Sequence, residues 1–388
     1  MDTFPTITQQ FQVSYGYQLH FTRGLFLADN PLFKDIVSAY RPDDQVKLLF
    51  VIDGGVALAH PHLQDQIETY CQEYNEILGL TKTLIVPGGE VIKNSETHLN
   101  EVLEGINDNA ICRHSFVVVI GGGAVIDMVG YAAAIAHRGV KLIRIPTTVL
   151  SQNDSAVGVK NSINYFGKKN FLGTFAPPFA IINDTDFLRT LEQRDWISGI
   201  AEALKVALIK DADFFGYIEK NAEKLRDRDM EAMQYTIYRC AELHMQHIAH
   251  GGDPFEGGSS RPLDFGHWAA HKLEQMTNYV LRHGEAVAKG IVLDVVYAQK
   301  KGLISRAEQN RIVQVFERIG FDLHFPISNT DEMQELLKGI EEFREHLGGK
   351  LTITLINGIG KKYDVHEIDR EMMGEAVHFV NENCQQKV

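Results

Sequence analysis

Residues 116–127 read Phe-Val-Val-Val-Ile-Gly-Gly-Gly-Ala-Val-Ile-Asp. The continuous apolar run Phe116–Ile120 predicts a strand buried on both faces, the habit of parallel sheets. Gly121, Gly122 and Gly123 then open a helix, where bare backbone lets a pyrophosphate approach the positive helix end. The spacing is not G-x-G-x-x-G, so it departs from the usual dinucleotide fingerprint. Similar endings recur: Val46–Ile52 runs into Asp53-Gly54-Gly55, and Thr83–Val86 into Pro87-Gly88-Gly89. Lys141–Ile145 and Ala180–Asn183 are further strand candidates, and Phe11–Phe21 alternates like a hairpin strand. Helical patterns separate them at Ala57–Leu78, Leu99–Ile106 and Val125–Ala136. After about Asp186 long helical patterns dominate: Asp195–Ile209, Ala212–Leu225, Glu231–His250, Gly266–Met276, Gly284–Lys301, Arg306–Ile319 and Thr330–Glu345. A late apolar run, Leu351–Ile356, follows them. The expected architecture is an α/β domain over 1–185 and a mostly α-helical domain over 186–388, with the ligand cleft between them.

Length and composition bound the function. The chain has 388 residues, 44% of them hydrophobic and 23% charged, enough for about two domains with large cores. With 38 Lys and Arg against 51 Asp and Glu, the net charge is −13, a poor match to nucleic acid. The four cysteines form no C-x-x-C pair, which argues against a zinc knuckle or a disulfide framework. The opening residues carry no basic start or apolar core of a signal peptide, and no run is long enough to span a bilayer. The expectation is a soluble, cytoplasmic protein with no membrane or nucleic-acid partner.

Two further groups carry chemistry. Between Asp154 and Asn170 the chain packs Lys160, Asn164, Lys168, Lys169 and Asn170 into what reads as a Gly- and Ser-rich loop. It is either a solvated loop or a phosphate-binding one with lysines and amides as donors. Glu202 and Lys205, three apart, share a face of an apolar helix, where burial costs several kcal/mol unless the charges are paired or liganded. His267 and His271 lie four apart on the next such face, and His283 opens a helix rich in small residues. One carboxylate with two or three imidazoles is the donor set of a catalytic zinc site with an open position. His244, His247 and His250 also fall at helical spacing and read as a solvated face.

Together these motifs resemble the sugar phosphate cyclases, the superfamily of 3-dehydroquinate synthase. The resemblance rests on PGGEVIK, GGGAVIDMVGYAAA, HRGVKLIRIPTT, SQNDSAVGVKNSIN, GKKNFLGTF, DTDFLRTL, GIAEALK, DFGHWAAH and HGEAVA, in that order from about Asp53 to Gly360. It implies an NAD-binding α/β domain, a helical metal-binding domain and a homodimer. It implies Glu202, His267 and His283 as metal ligands, for Zn²⁺ or alternatively Co²⁺, and moves His271 from the metal to the substrate phosphate. It implies NAD contacts from Asp53, Glu90, Lys93, Gly122, Gly123, Asp127, Thr147, Thr148, Lys169 and the segment Leu188–Thr190, with Asp53 near the ribose. It implies substrate-facing roles for Asp154, Lys160, Asn170, Lys205 and Arg138. Lys160 and Asn170 would grip phosphate, and Arg138 would reach across the dimer. The implied reaction closes a carbocycle on a phosphorylated sugar: transient oxidation, β-elimination of phosphate, re-reduction, ring opening and aldol closure.

The chain departs from the 3-dehydroquinate synthase pattern near the metal motif. Asp264 stands at an Asn position, Arg261 is displaced by one residue, His244 replaces an upstream helix lysine, and an insertion, GGDPFEGGSS, follows His250; the Arg and Lys positions are those the resemblance ties to a substrate carboxylate. Phe343–Lys350 reads FREHLGGK where that subgroup carries a Lys-Lys pair. An acidic Asp264 beside a substrate carboxylate would place like charges together. This favours a neutral-ended substrate, sedoheptulose 7-phosphate, with Asp264 as a hydrogen-bond acceptor. Retention of His271 departs in turn from the cyclases that use that sugar. The alternatives are 3-dehydroquinate synthase itself, acting on 3-deoxy-D-arabino-heptulosonate 7-phosphate, and a metal-dependent polyol dehydrogenase.

Overall fold

A computed structural model describes residues 4–384; residues 1–3, the start of the segment read for a signal peptide, lie outside them. The first half contains strands β1 (Gln18–Thr22), β2 (Val46–Asp53), β3 (Leu78–Val86), β4 (Phe116–Gly121), β5 (Lys141–Pro146), β6 (Lys160–Tyr165), β7 (Lys168–Phe175) and β8 (Ala180–Asp184). Six of them form one parallel sheet in the order β1-β8-β5-β4-β2-β3. Strand β2 shows why such runs are apolar throughout. Leu48, Phe50 and Ile52 enter one core while Leu49 and Val51 enter the other. Helices α1 (Leu32–Tyr40) and α3 (Leu63–Glu73) supply the first core. Helices α4 (Glu96–Asp108) and α5 (Gly123–Ile135) supply the second, and the short α2 (Gly54–Ala59) follows β2 directly. β2 is flanked by β3 on one side and β4 on the other, so the chain reverses direction across the sheet there. That is the switch point at which open α/β sheets bind ligands.

The second half is built from α6 (Gln193–Ser198), α7 (Ile200–Lys210), α8 (Ala212–Lys220), α9 (Ala222–Arg226), α10 (Met230–His250), α11 (His267–Met276), α12 (His283–Lys300), α13 (Arg306–Ile319), α14 (Thr330–His346) and α15 (Arg370–Asn383). They share one apolar core, in which α7, α11 and α12 are buried along most of their length. The late apolar run forms β9 (Ile353–Ile356), paired antiparallel with β10 (Lys362–Val365). No helix of the described residues is long and apolar enough to cross a membrane.

Three local expectations are corrected. The alternation over Phe11–Phe21 gives a strand only at Gln18–Thr22. It pairs in parallel with β8, not in a hairpin, while Phe4, Ile7 and Phe11 lie exposed. The helical pattern Ala57–Leu78 is cut in two after Ala59, because Pro61 has no N–H to continue the ladder. The segment read as a loop at 154–170 is a π-helical turn at Ser151–Ser155 followed by the β6–β7 hairpin. Its two-residue turn, Phe166-Gly167, has positive φ at both positions, the geometry that matches strand twist. Asn, Lys and Gly, poor strand formers, hid this hairpin in the sequence.

Candidate functional site

The α/β half presents its polar groups at the carboxyl ends of the strands. Asp53 ends β2 and caps α2, accepting from Gly55 N at 2.8 Å. Glycines crowd it: a Cβ on Gly88 would lie 2.4 Å from Asp53 Oδ1, and one on Gly121 3.0 Å from Asp53 Cβ. Gly122 is the N-cap of α5, and a Cβ there would meet only Thr148 Cγ2 at 3.6 Å, so the helix start is open above it. Lys93 is buried beneath this crevice. Its Nζ donates to Asp127 Oδ2 at 2.7 Å, Asn170 Oδ1 at 2.5 Å and Ser162 Oγ at 3.2 Å. Glu90 Oε1 accepts from Asn164 Nδ2 at 3.0 Å.

Where the two halves meet, α7, α11 and the start of α12 bring Glu202, His267 and His283 together, with one donor atom of each within 4.8 Å of the others. Glu202 is fully buried. Its Oε1 lies 3.4 Å from His283 Nε2 and 3.8 Å from His267 Nε2, too long for well-formed hydrogen bonds. Its Oε2 pairs with Lys205 Nζ at 2.5 Å. Lys205 also lies 3.6 Å from Asp154 Oδ1, which sits 3.2 Å from His244 Nδ1. Burial opposes both carboxylate charges, but the Lys205 ammonium overrides it and holds Glu202 and Asp154 below the usual carboxylate range. Those carboxylates in turn keep Lys205 charged against its burial, and Asp264 adds to this. Burial and Lys205 push His267 toward its neutral form. Burial works the same way on His283, but Glu274 outweighs it and raises that ring to about 9.

Residues 83–198 match the family model of the 3-dehydroquinate synthase N-terminal region, and residues 199–341 that of its C-terminal region. The chain belongs to the 3-dehydroquinate synthase family. It is 34% identical over 359 residues to the 3-dehydroquinate synthase of Shewanella sp. (strain MR-4), covering 92% of this chain and 95% of that one. It is 36% identical over 300 residues to that of Vibrio atlanticus (strain LGP32), covering 77% and 82%. Among solved structures it is similar to ValA, a 2-epi-5-epi-valiolone synthase of Streptomyces hygroscopicus subsp. jinggangensis 5008 with NAD⁺ and Zn²⁺ bound. That match has a TM-score of 0.86 and 26% identity over 97% of this chain and 99% of that one.

These identities overturn the preference for sedoheptulose 7-phosphate. The higher-identity relatives carry the 3-dehydroquinate synthase name, and the structure shows where the charge argument went wrong. It weighed Asp264 and the replacement of a helix lysine by His244, and set aside Arg261, whose buried Nε makes no hydrogen bond.

The family's site residues fall into place unevenly. Asp154 and Lys205 flank Glu202, and Asp264 and His271 lie on the elements around it; the His271 ring is 5.5 Å from His267 and 6.0 Å from His283. Thr147 donates its N–H to Gly121 O at 3.0 Å, and the Thr148 hydroxyl meets Ser151 Oγ at 2.8 Å, which fixes the turn carrying Asp154. Leu188 is buried in the turn after β8, and the Thr190 hydroxyl meets His60 Nε2 at 2.9 Å. Asn170, expected to grip phosphate with Lys160, accepts instead from Lys93 Nζ in the cluster with Asp127 and Ser162. Lys160 pairs with Glu256 Oε2 at 2.5 Å, and Lys169 with Glu274 Oε1 at 2.7 Å. Arg138 lies outside this cluster, exposed on a turn with φ of 62°.

Sequence reasoning missed Glu256 and Glu274, and its spacing rule misplaced His244. His244 looked solvated because its trio repeats at helical spacing; it is buried, against Asp154. Glu256 lies in the insertion and Glu274 on the face of α11 beyond His271, and no spacing rule reads a partner from another element.

Proposed function

We propose that this chain is a 3-dehydroquinate synthase, closing a carbocycle on 3-deoxy-D-arabino-heptulosonate 7-phosphate with elimination of phosphate. The observation that carries this is the Glu202, His267 and His283 group, with Glu202 and His267 buried, set beside Lys205 and Asp154 where the two halves meet. The donor set fits a borderline-soft divalent ion, and Glu202 Oε1 is a buried anionic oxygen with no well-formed hydrogen bond. The open space above Gly122 at the start of α5 fits the pyrophosphate of NAD. When bound, Zn²⁺ or Co²⁺ supplies Lewis-acid polarisation of a substrate oxygen, and NAD⁺ supplies reversible hydride acceptance.

The protein's own groups do the rest. Lys205, locked in its charged form by two carboxylates, presents a fixed positive charge to developing oxyanions. Asp154 and His244, 3.2 Å apart, place a carboxylate and an imidazole side by side next to Lys205. Lys160 is half exposed and exchanges Glu256 for the substrate phosphate. Arg261, whose buried Nε makes no hydrogen bond and lies 4.0 Å from Glu256 Oε2, meets the substrate carboxylate. Arg138 would come from the second copy of a homodimer.

The test is phosphate release with NAD⁺ and Zn²⁺ from 3-deoxy-D-arabino-heptulosonate 7-phosphate, with mass spectrometry of the product. A carbocycle formed with catalytic NAD⁺ is expected. Stoichiometric NADH without phosphate release would indicate a dehydrogenase and overturn the proposal.

A further inference from the structure

Glu274 has no role in the chemistry above, yet it is among the most enclosed carboxylates of the site, its side chain only 4% exposed. It lies on α11, seven residues after His267. One oxygen accepts from Lys169 Nζ at 2.7 Å, on strand β7 of the nucleotide half. The other lies 3.2 Å from His283 Nδ1. His283 thus has a carboxylate at each ring nitrogen, because its Nε2 faces Glu202 Oε1 at 3.4 Å.

Two arrangements are compatible with those contacts. In one, His271, Glu274 and His283 form a second cation site, since a donor atom of each lies within 4.8 Å of the others. In the other, Glu274 accepts a hydrogen bond from Nδ1–H of His283. That fixes the tautomer, so the Nε2 lone pair points toward Glu202 and His267. Lys169 decides between them. Its ammonium already occupies one oxygen of Glu274 in a buried setting, and a second cation there would face a full positive charge at close range.

We propose that Glu274 is a positioning residue that orients His283 as a ligand of a single metal ion, and that Lys169 holds Glu274 in place from the nucleotide half. This rests on the assignment of Glu202, His267 and His283 as the metal ligands. The geometry makes a chain of two side chains from the β6–β7 hairpin to a metal ligand.

The test uses the full chain stripped of metal and titrated with Zn²⁺ against a chromophoric chelator, with Co²⁺ absorption as a second readout. Wild type binds one ion per chain. Glu274→Gln keeps the volume and binds Zn²⁺ about 10–100-fold more weakly, with a shifted Co²⁺ visible band. Lys169→Met weakens Zn²⁺ binding by a smaller factor, and decides the matter if Glu274→Gln does not fold by circular dichroism. Unchanged affinity and an unchanged Co²⁺ band in the variants overturn the inference. So does a second ion per wild-type chain that disappears in His271→Ala. His267→Ala separates the levels. Full affinity there overturns the ligand assignment, and this inference with it. Lost affinity there with unchanged Glu274→Gln and Lys169→Met overturns this inference alone.

Discussion

Lys205 stands between two carboxylates, Glu202 Oε2 at 2.5 Å and Asp154 Oδ1 at 3.6 Å, and is itself buried. Lys205 is the cation both carboxylates share, so its loss leaves Glu202 and Asp154 without their main counter-charge, which a divalent ion on Glu202 would in part replace. Lys205→Met is therefore expected to destabilise the metal-free chain by about 3–5 kcal/mol, the usual effect of leaving a buried charge unpaired. Zn²⁺ should restore more stability to this variant than to wild type. Thermal melting with Zn²⁺ and with a chelator checks this; an equal loss under both conditions would refute the charge account. These residues were legible in the sequence because separations of three and four put side chains on one helix face, as with Glu202 and Lys205. His244 was not, because the same rule places it in an apparently solvated trio. Only packing of α10 on the Ser151–Ser155 turn turns it toward Asp154.

Between α11 and α12 the fixing element is Asp294. It is fully buried, accepts from Gly266 N at 3.1 Å and Trp268 Nε1 at 2.9 Å, and so clamps both neighbours of His267. Burial pushes its carboxyl up to about 7, against the two hydrogen bonds that lower it. A folded-state value above the ordinary carboxylate range means that folding favours the protonated form. That contribution is fully present at about pH 4 and lost as pH rises through 7. Asp294→Asn, which cannot ionise, should therefore gain on wild type by about 2–4 kcal/mol between pH 4 and pH 8. Denaturant melts at both ends of that range measure it; a constant gap would show that Asp294 does not titrate there. On the other half, Arg144 is fully buried and donates to the carbonyls of Ala156, Gly158 and Lys160 and to Asn161 Oδ1. A Cβ on Gly130 would lie 2.0 Å from that Asn161 oxygen. Gly130→Ala should cost about 1–3 kcal/mol and speed hydrogen exchange across β6 and β7. At this scale the continuous apolar strands were legible and the β6–β7 hairpin was not. Its register is set by this buried arginine and by α5, not by its own alternation of side chains.

Across the molecule, the halves are joined at the site by charged pairs: Lys160 with Glu256, Lys169 with Glu274, and Asp154 with Lys205. The sequence resemblance carried the division into a nucleotide half and a helical half, but not these contacts, because each joins residues whose proximity only the fold creates. The same blindness misled the substrate reading, where Asp264 and His244 were judged without the buried Arg261 Nε. If Lys169 contacts NAD as the family pattern implies, the nucleotide and the metal act on one chain of side chains, Lys169 to Glu274 to His283. Their binding free energies must then be linked, and the linkage must be reciprocal. Saturating NAD⁺ should change the Zn²⁺ affinity of the wild-type chain by roughly 5-fold or more, and Zn²⁺ should change NAD⁺ affinity by the same factor. Lys169→Met should bring both factors close to one while leaving some affinity for each ligand. Titration calorimetry with each ligand, in the presence and absence of the other, measures all four corners of this cycle. Equal coupling in wild type and variant would show that the two halves communicate by a route other than this carboxylate.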